Sequence, residues 1–123
     1  MDNKPTLIVG ASTKRHRYSN EAVHRLVAQN QPVYAFGRRE GDIAGIPIWT
    51  KEEEVQIPDL HTISLYIGPA HQPPMYDWLI SLAPKRVIFN PGTENPALYQ
   101  KLTEAGIEAN MACTLVMLST AQY

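Results

Sequence analysis

Short runs of apolar residues recur along the chain, and most of them end at a glycine, a proline or an asparagine. Runs of this length are typical of strands that are buried on both faces of a parallel sheet. The predicted strands cover residues 6–9, 33–36, 62–67, 86–89 and 107–111. The segment 37–58 has no regular pattern, and Gly41, Gly45 and Pro47 predict turns within it.

Segments between these runs carry apolar residues at helical spacing. This spacing predicts a first helix that follows Ser19 and ends before Pro32. Asn95 suits the N-cap of a later helix, Pro96 its first turn and Gly106 the position after its end. Further helices are predicted over residues 51–55, 75–82 and 114–120.

Strands that alternate with helices imply right-handed crossovers and a parallel sheet covered by helices on both faces. We therefore predict a Rossmann-like, three-layer α/β fold whose parallel sheet has about five strands. A chain of 123 residues is long enough for one such core and leaves no room for another. We expect a single domain over residues 1–123, without a linker.

Composition limits the classes of partner. The 11 lysine and arginine side chains against 12 acidic ones give a formal net charge of −1. That balance predicts no general attraction to nucleic acids or membranes, so any anion site must be local. Cys113 is the single cysteine, and we recognise neither a signal peptide nor an apolar stretch of roughly 20 residues. We therefore expect a cytoplasmic protein.

Loops that follow the strands are the places to look for a ligand site. Ligands of an open parallel sheet bind beyond the carboxyl ends of its strands, where the strand order reverses. Glycine occurs in the loops after the first four predicted strands, and it lets backbone approach a ligand closely. The candidate residues in these loops are Gly10, Ala11, Ser12, Arg38, Arg39, Gly68, Pro69, Asn90 and Gly92.

The loop after the first strand carries the clearest chemical signal. Gly10, Ala11 and Ser12 place small residues, a hydroxyl group and backbone amides before a helix, an arrangement that binds phosphate. The alternative is a plain tight turn beside a solvated basic loop. The dinucleotide pattern G-x-G-x-x-G is incomplete, because Ser12 stands where its second glycine would be.

Two arginines follow the second strand, where NAD sites carry an acidic residue for the ribose hydroxyls. Arg38 and Arg39 suit an additional ribose phosphate, as in NADP or coenzyme A. The alternative is a pair of solvated turn charges.

Residues for catalysis are not recognisable in the sequence. There is no G-K-[ST] motif, and the four histidines lack the spacing of metal ligands, so no metal is expected. Cys113 is more readily a small buried hydrophobe than a reactive thiol, and its reactivity stays open. Trp49 and Trp78 could stack on an adenine, but packing is the safer prediction for both.

The order of these motifs resembles a known family. Residues 8–12 (IVGAS), a basic loop that ends in Arg17-Tyr18-Ser19, and residues 90–96 (NPGTENP) carry the resemblance. Together they resemble the small standalone CoA-binding domain proteins, which are similar to the CoA-binding domain of the succinyl-CoA synthetase alpha subunit. The resemblance covers nearly the whole chain and is weakest over residues 40–62.

This resemblance implies coenzyme A laid across the strand ends, with its pyrophosphate on residues 10–12. Arg17, Ser19 and Asn20 would flank the pyrophosphate at the start of the first helix. Residues 68–69 would line the adenine side, and residues 90–93 would close the pocket. The family often has Asn-Pro-Lys where this chain has residues 37–39 (GRR), so a cation for the 3′-phosphate is retained in a different loop.

Binding without catalysis is the favoured function, because the family lacks a common set of catalytic residues. An NADP-binding enzyme or redox sensor is one alternative, and an interaction or regulatory module with a vestigial nucleotide pocket is another. The expected partner is a small nucleotide cofactor, coenzyme A or an acyl-CoA. The oligomeric state stays open, and a homodimer is one option because dimers are the commonest oligomers.

Overall fold

The computed structural model describes residues 2–123, in which seven strands form one sheet. The order across the sheet is β3-β4-β2-β1-β5-β6-β7, and all neighbours are parallel except the antiparallel pair β3 and β4. The strands are β1 Thr6–Val9, β2 Val33–Phe36, β3 Asp42–Ile43, β4 Ile46–Trp49, β5 Thr62–Leu65, β6 Arg86–Phe89 and β7 Glu108–Met111.

Helices cover both faces of this sheet. The α-helices are α1 Tyr18–Ala28, α2 Tyr76–Ser81, α3 Pro96–Glu104 and α4 Thr114–Ser119, and short 3₁₀ helices occupy Glu52–Glu54, Pro69–His71 and Pro73–Met75. Asn95 caps α3 as predicted, because its side-chain oxygen accepts from the amides of Ala97 (3.0 Å) and Leu98 (3.3 Å). None of the helices in residues 2–123 combines the length and apolarity that a bilayer span needs.

The predicted Rossmann-like fold is confirmed, and all five predicted strands are present within two residues of their expected ends. The prediction missed the hairpin of β3 and β4 inside segment 37–58. Its turn, Ala44-Gly45, has φ angles of 52° and 84°, as a type I′ hairpin requires. Alanine rarely adopts such angles, so the usual hairpin dipeptide was absent from the sequence. Pro47 is tolerated because β4 pairs with β2 only through Ile48 and Trp49.

The strand order reverses between β1 and β5. The chain runs outward through β2 and β4 on one side of β1 and through β5, β6 and β7 on the other. Loops that leave the carboxyl ends of β1 and β5 therefore diverge and open a crevice between them. This is the position at which the sequence predicted ligand binding.

Two apolar clusters fix the sheet between its helix layers. On one face, Leu7, Ile63 and Phe89 pack in a cluster with Leu79 of α2 and Leu98 of α3. The opposite face brings Ile8, Ala35 and Ile88 together with residues of α1 and α4, among them Leu26 and Leu118. The central strand β1 is completely buried, so the loop that follows it is anchored on a rigid element.

Candidate functional site

The carboxyl edge of the sheet gathers the candidate residues. Gly10–Ser12 follow β1, Arg38 and Arg39 follow β2, Gly68 and Pro69 lie beyond β5, and Asn90 and Gly92 follow β6. Because these strands are parallel, all four loops leave the sheet at the same edge. Arg17, Ser19 and Asn20 lie at the start of α1, directly above the first loop.

The turn after β1 is tight and already hydrogen-bonded. Gly10 has a φ of 99°, and the amides of Gly10 and Ala11 both donate to the carbonyl of Phe36 at 2.9 Å. Neither amide is free for a phosphate in this structure. The amides of Ser12 and Thr13, by contrast, pair with no backbone carbonyl in residues 2–123. The donors that this loop offers to an anion therefore begin at Ser12, two residues later than the sequence suggested.

Asn20 fastens the loop to the first helix. Its side chain is buried, its Nδ2 donates to the carbonyl of Ser12 at 2.8 Å, and its Oδ1 accepts from Arg15 at 3.0 Å. Arg17, the N-cap residue of α1, makes no side-chain cap bond. Its carbonyl accepts from the Asn20 amide at 3.1 Å, and the first two amides of the helix have no backbone partner in residues 2–123. Asn20 thus holds the loop rather than facing a ligand directly.

We expect Asn20→Ala to lower the free energy of unfolding by about 2 kcal/mol, because the Ser12 carbonyl and the loop lose their buried partner. Urea denaturation measures this loss. Arg15→Ala is the matched control: it removes the Arg15 bond but keeps the Ser12 bond, and should cost less than about 0.5 kcal/mol. Equal losses in the two variants would contradict the role given to Asn20.

Gly37 sets the distance between the loops after β1 and β2. A Cβ atom built on Gly37 would lie 2.3 Å from the carbonyl oxygen of Ala11, closer than any side chain tolerates. Gly37 was not predicted to be a binding residue, although its position at a strand end was a signal. Beyond it, Arg38 and Arg39 are exposed, with guanidinium groups that are free to reach a ligand.

A buried glutamine joins the loops after β5 and β6. Gln72 is fully buried; its Nε2 donates to the carbonyls of Ile67 and Thr93, both at 2.8 Å, and its Oε1 accepts from Asn95 at 2.9 Å. Nothing in the local pattern marks Gln72, which stands before two prolines. These hydrogen bonds hold the segment that contains Gly68 and Pro69 in place.

Asn90 is buried, and its side chain is used by the protein itself. Its Nδ2 donates to the Ser64 hydroxyl and to the Leu65 carbonyl, both at 2.9 Å, and its Oδ1 accepts from the Thr114 amide at 2.8 Å. Both of its donors are occupied, so Asn90 shapes the loop before Gly92 rather than donating to a ligand. Gly92, exposed with a φ of 94°, forms the outer part of this loop.

Burial raises the pKa of Tyr66, at the end of β5, to about 12. The hydroxyls of Ser64 and Thr114 lie nearby and partly oppose this rise, but they bond to each other at 2.7 Å. The buried Tyr66 hydroxyl makes no hydrogen bond of good geometry within residues 2–123. Tyr66 therefore stays protonated near neutral pH.

The tryptophans pack within the protein. Trp78 lies against Phe36 with ring centroids 4.7 Å apart, and Trp49 stacks on Tyr34 at 5.7 Å.

Cys113 is half-buried at the N-cap of α4. Residues 2–123 contain no group of three or more His, Cys, Asp or Glu side chains that could hold a metal ion. Two concave regions, of about 640 and 420 Å³, include none of the candidate residues.

Comparison with solved structures shows the same fold elsewhere. A crystal structure of an uncharacterized protein is 41% identical, with a TM-score of 0.95 and full coverage of both chains. A hypothetical protein from Pyrococcus horikoshii OT3 is 22% identical, with a TM-score of 0.83 over 96% of this chain and 83% of that one. A dinucleotide-forming acetyl-coenzyme A synthetase from Ca. Korarchaeum cryptofilum, solved with phosphate and ADP, is 14% identical, with a TM-score of 0.69 over 91% of this chain and 26% of that one.

A search among curated proteins found no significant match. Comparison with protein families did: residues 4–119 match the family described as a CoA binding domain. That match includes the loops after β1, β2, β5 and β6 and the start of α1. The fold, the crevice at the strand reversal and this match over nearly the whole chain agree, and the chain belongs to the CoA-binding domain family.

Proposed function

We propose that this protein binds coenzyme A, free or acylated, across the carboxyl edge of its sheet and performs no chemistry on it. One observation carries the proposal: open amides at Ser12 and Thr13 lie beside the start of α1 and the exposed Arg38 and Arg39, in a member of the CoA-binding domain family. Such a group of donors and cations suits a ligand with a diphosphate and a further phosphate.

Local charge favours an anionic ligand here although the chain as a whole is nearly neutral. Five of the 11 lysine and arginine side chains are exposed on the loops after β1 and β2, namely Lys14, Arg15, Arg17, Arg38 and Arg39. The α1 helix adds the positive end of its dipole at the same place. An acidic ligand is therefore drawn to this edge.

Each part of coenzyme A has a counterpart in the proposed site. The diphosphate would lie on the Ser12–Thr13 amides and the first turn of α1, which the tight Gly10-Ala11 turn positions. Arg38 and Arg39 would bind the 3′-phosphate. Gly68 and Pro69 would line the adenine, and Gly92 would lie where the loop after β6 closes over the ligand.

The state of Tyr66 supports binding without catalysis. It is the titratable group near this edge whose pKa is clearly shifted, and the shift is upward to about 12. A general acid or base works best when its pKa lies near the working pH. Tyr66 is far from that condition and is packed among α1 and α4 residues.

The test compares coenzyme A with dephospho-coenzyme A, which lacks only the 3′-phosphate. We expect coenzyme A to bind roughly tenfold more tightly, because Arg38 and Arg39 make charge-assisted bonds to the extra phosphate. The double variant Arg38→Ala/Arg39→Ala should lose that preference and bind both ligands alike. Arg25→Ala, in the last turn of α1, is the matched control and should keep it.

Calorimetry measures these affinities, and thermal shifts check them, since ligand at a hundred times Kd adds about 2.7 kcal/mol of stability. The preference for coenzyme A should weaken as salt increases. Tighter binding of NADP than of coenzyme A would instead favour the redox alternative. No binding of any nucleotide would favour a vestigial pocket and refute the proposal.

A further inference from the structure

A groove of about 640 Å³ lies beside the edge strand β7 and includes none of the residues of the proposed coenzyme A site. Glu108–Met111 form its floor, Tyr99 of α3 stands on one side, and Met117 of α4 stands on the other. Its lining combines apolar and polar surface with two charged side chains, Arg86 at the start of β6 and Glu108 at the start of β7. The question that follows is whether the guanidinium of Arg86 has an anionic partner.

Arg86 is buried, with 8% of its surface exposed. Its Nε donates to the Thr62 hydroxyl at 2.7 Å, and its guanidinium carbon lies 4.5 Å from the centre of the Tyr123 ring. Its Nη2 is buried and has no hydrogen-bond partner within residues 2–123. Arginine stays charged in proteins, and a buried charged donor without an acceptor is costly. The guanidinium thus lacks an anion.

Glu108 is the carboxylate of this chain best placed to pair with Arg86, because the two residues are partners in the register of β6 and β7. Its side chain nevertheless is exposed and does not bond to Nη2. The chain therefore places a carboxylate next to the guanidinium without an ion pair between them, and Nη2 has no acceptor within residues 2–123.

The surroundings of Arg86 are basic. Burial lowers the pKa of His61, and the charges of Arg86, Lys4 and Lys85 lower it further, against a smaller opposite effect of Glu108. His61 and Arg86 are linked through the Thr62 hydroxyl, which accepts from Arg86 and lies 2.7 Å from His61 Nδ1. An anion at Arg86 would reduce this excess of positive charge.

We propose that the groove beside β7 binds a small oxyanion ligand, a carboxylate or a phosphate with an apolar part, whose oxygen accepts from the guanidinium of Arg86. The apolar part lies against Met111 and Met117. The guanidinium is at the amino end of β6, the groove includes none of the residues of the proposed coenzyme A site, and this proposal does not depend on that site.

NMR titration tests the proposal with three probes: hexanoate, its uncharged counterpart hexanol, and inorganic phosphate. We expect saturable shifts of the Arg86 Nε–H signal and of the Ala109 and Met111 amides with an oxyanion, and binding of hexanol weaker by roughly tenfold or more. If hexanoate binds more tightly than phosphate, the ligand class is a carboxylate with an apolar tail. If phosphate binds more tightly, the ligand class is a phosphate. A bound anion should also raise the pKa of His61.

Two variants separate this site from a general surface effect. Arg86→Met should abolish the saturable shifts while coenzyme A binding is unchanged. Arg86→Lys keeps the positive charge and should weaken the shifts, and it provides the test if the methionine variant fails to fold. Glu108→Gln should strengthen oxyanion binding, because it removes a nearby negative charge. Absent shifts, shifts that persist in Arg86→Met, or a Glu108→Gln variant that binds no more tightly would each overturn the proposal.

Discussion

Gly37→Ala is expected to destabilise the protein by about 3 kcal/mol and to abolish coenzyme A binding together with it. The added methyl group would lie 2.3 Å from the Ala11 carbonyl oxygen. Neither backbone can move away freely, since the Ala11 amide is bonded to Phe36 and the Gly37 amide to Trp49, both at 2.9 Å. Because Ser12 follows Ala11 directly, any relief of this collision also displaces the amides proposed to hold the diphosphate.

Gly41→Ala is the matched control for this prediction. Its added methyl group would come equally close, 2.4 Å, but to the side-chain methyl of Thr13, which is exposed and can rotate. We expect a loss below about 1 kcal/mol, the usual effect of an off-rotamer adjustment. Urea denaturation of both variants measures the difference. Similar losses at the two positions would show that the contact between the two loops is not the constraint we describe.

Asn90→Ala should lower the free energy of unfolding by about 4 kcal/mol, through a cavity and three lost hydrogen bonds. It leaves the Leu65 carbonyl and the Thr114 amide without their buried partner. This side chain joins the end of β6 to the end of β5 and to the start of α4, so the loop before Gly92 should also become mobile. Asn110→Ala, at a half-buried position in β7, should cost less than about 1 kcal/mol.

Asn90→Asp tests the donors alone, since it keeps the shape of the side chain. An ionised carboxylate would face the Leu65 carbonyl in a buried place, so its pKa should rise above the usual value of about 3.9. The folded state then binds the proton more tightly than the unfolded state does, and stability falls as the pH rises through that raised pKa. If the variant is less stable than the parent protein by the same amount at every pH, the role given to the Asn90 donors is contradicted.

Much of the fold was predictable because the relevant signals are local. The apolar runs located β1, β2 and β6 to the residue, and Asn95 with Pro96 located the start of α3. These signals depend on neighbours within a few positions. A strand that is buried on both faces requires apolar residues, and the unpaired amides at the start of a helix favour a capping residue such as asparagine. The hairpin of β3 and β4 escaped because Ala44 adopts an angle that alanine rarely takes.

The proposed site was predictable only as a set of loops. The sequence indicated which loops follow parallel strands, and parallel strands bring their carboxyl ends to one edge. It did not indicate that Phe36 already occupies the Gly10 and Ala11 amides, or that the Asn90 side chain is used internally. Those facts depend on contacts between residues that are more than twenty positions apart in the chain.

By itself, then, the sequence determined the fold class, the order of five of the seven strands and of the α-helices, and a basic loop with a glycine after β1, since each follows from patterns over a few residues. Only the tertiary structure decided which amides stay open, why Gly37 must lack a side chain, and that Arg86 lies buried beside a groove without an anion. The physical reason is that hydrogen-bond saturation and close packing are properties of distant segments in contact, and no local pattern encodes them.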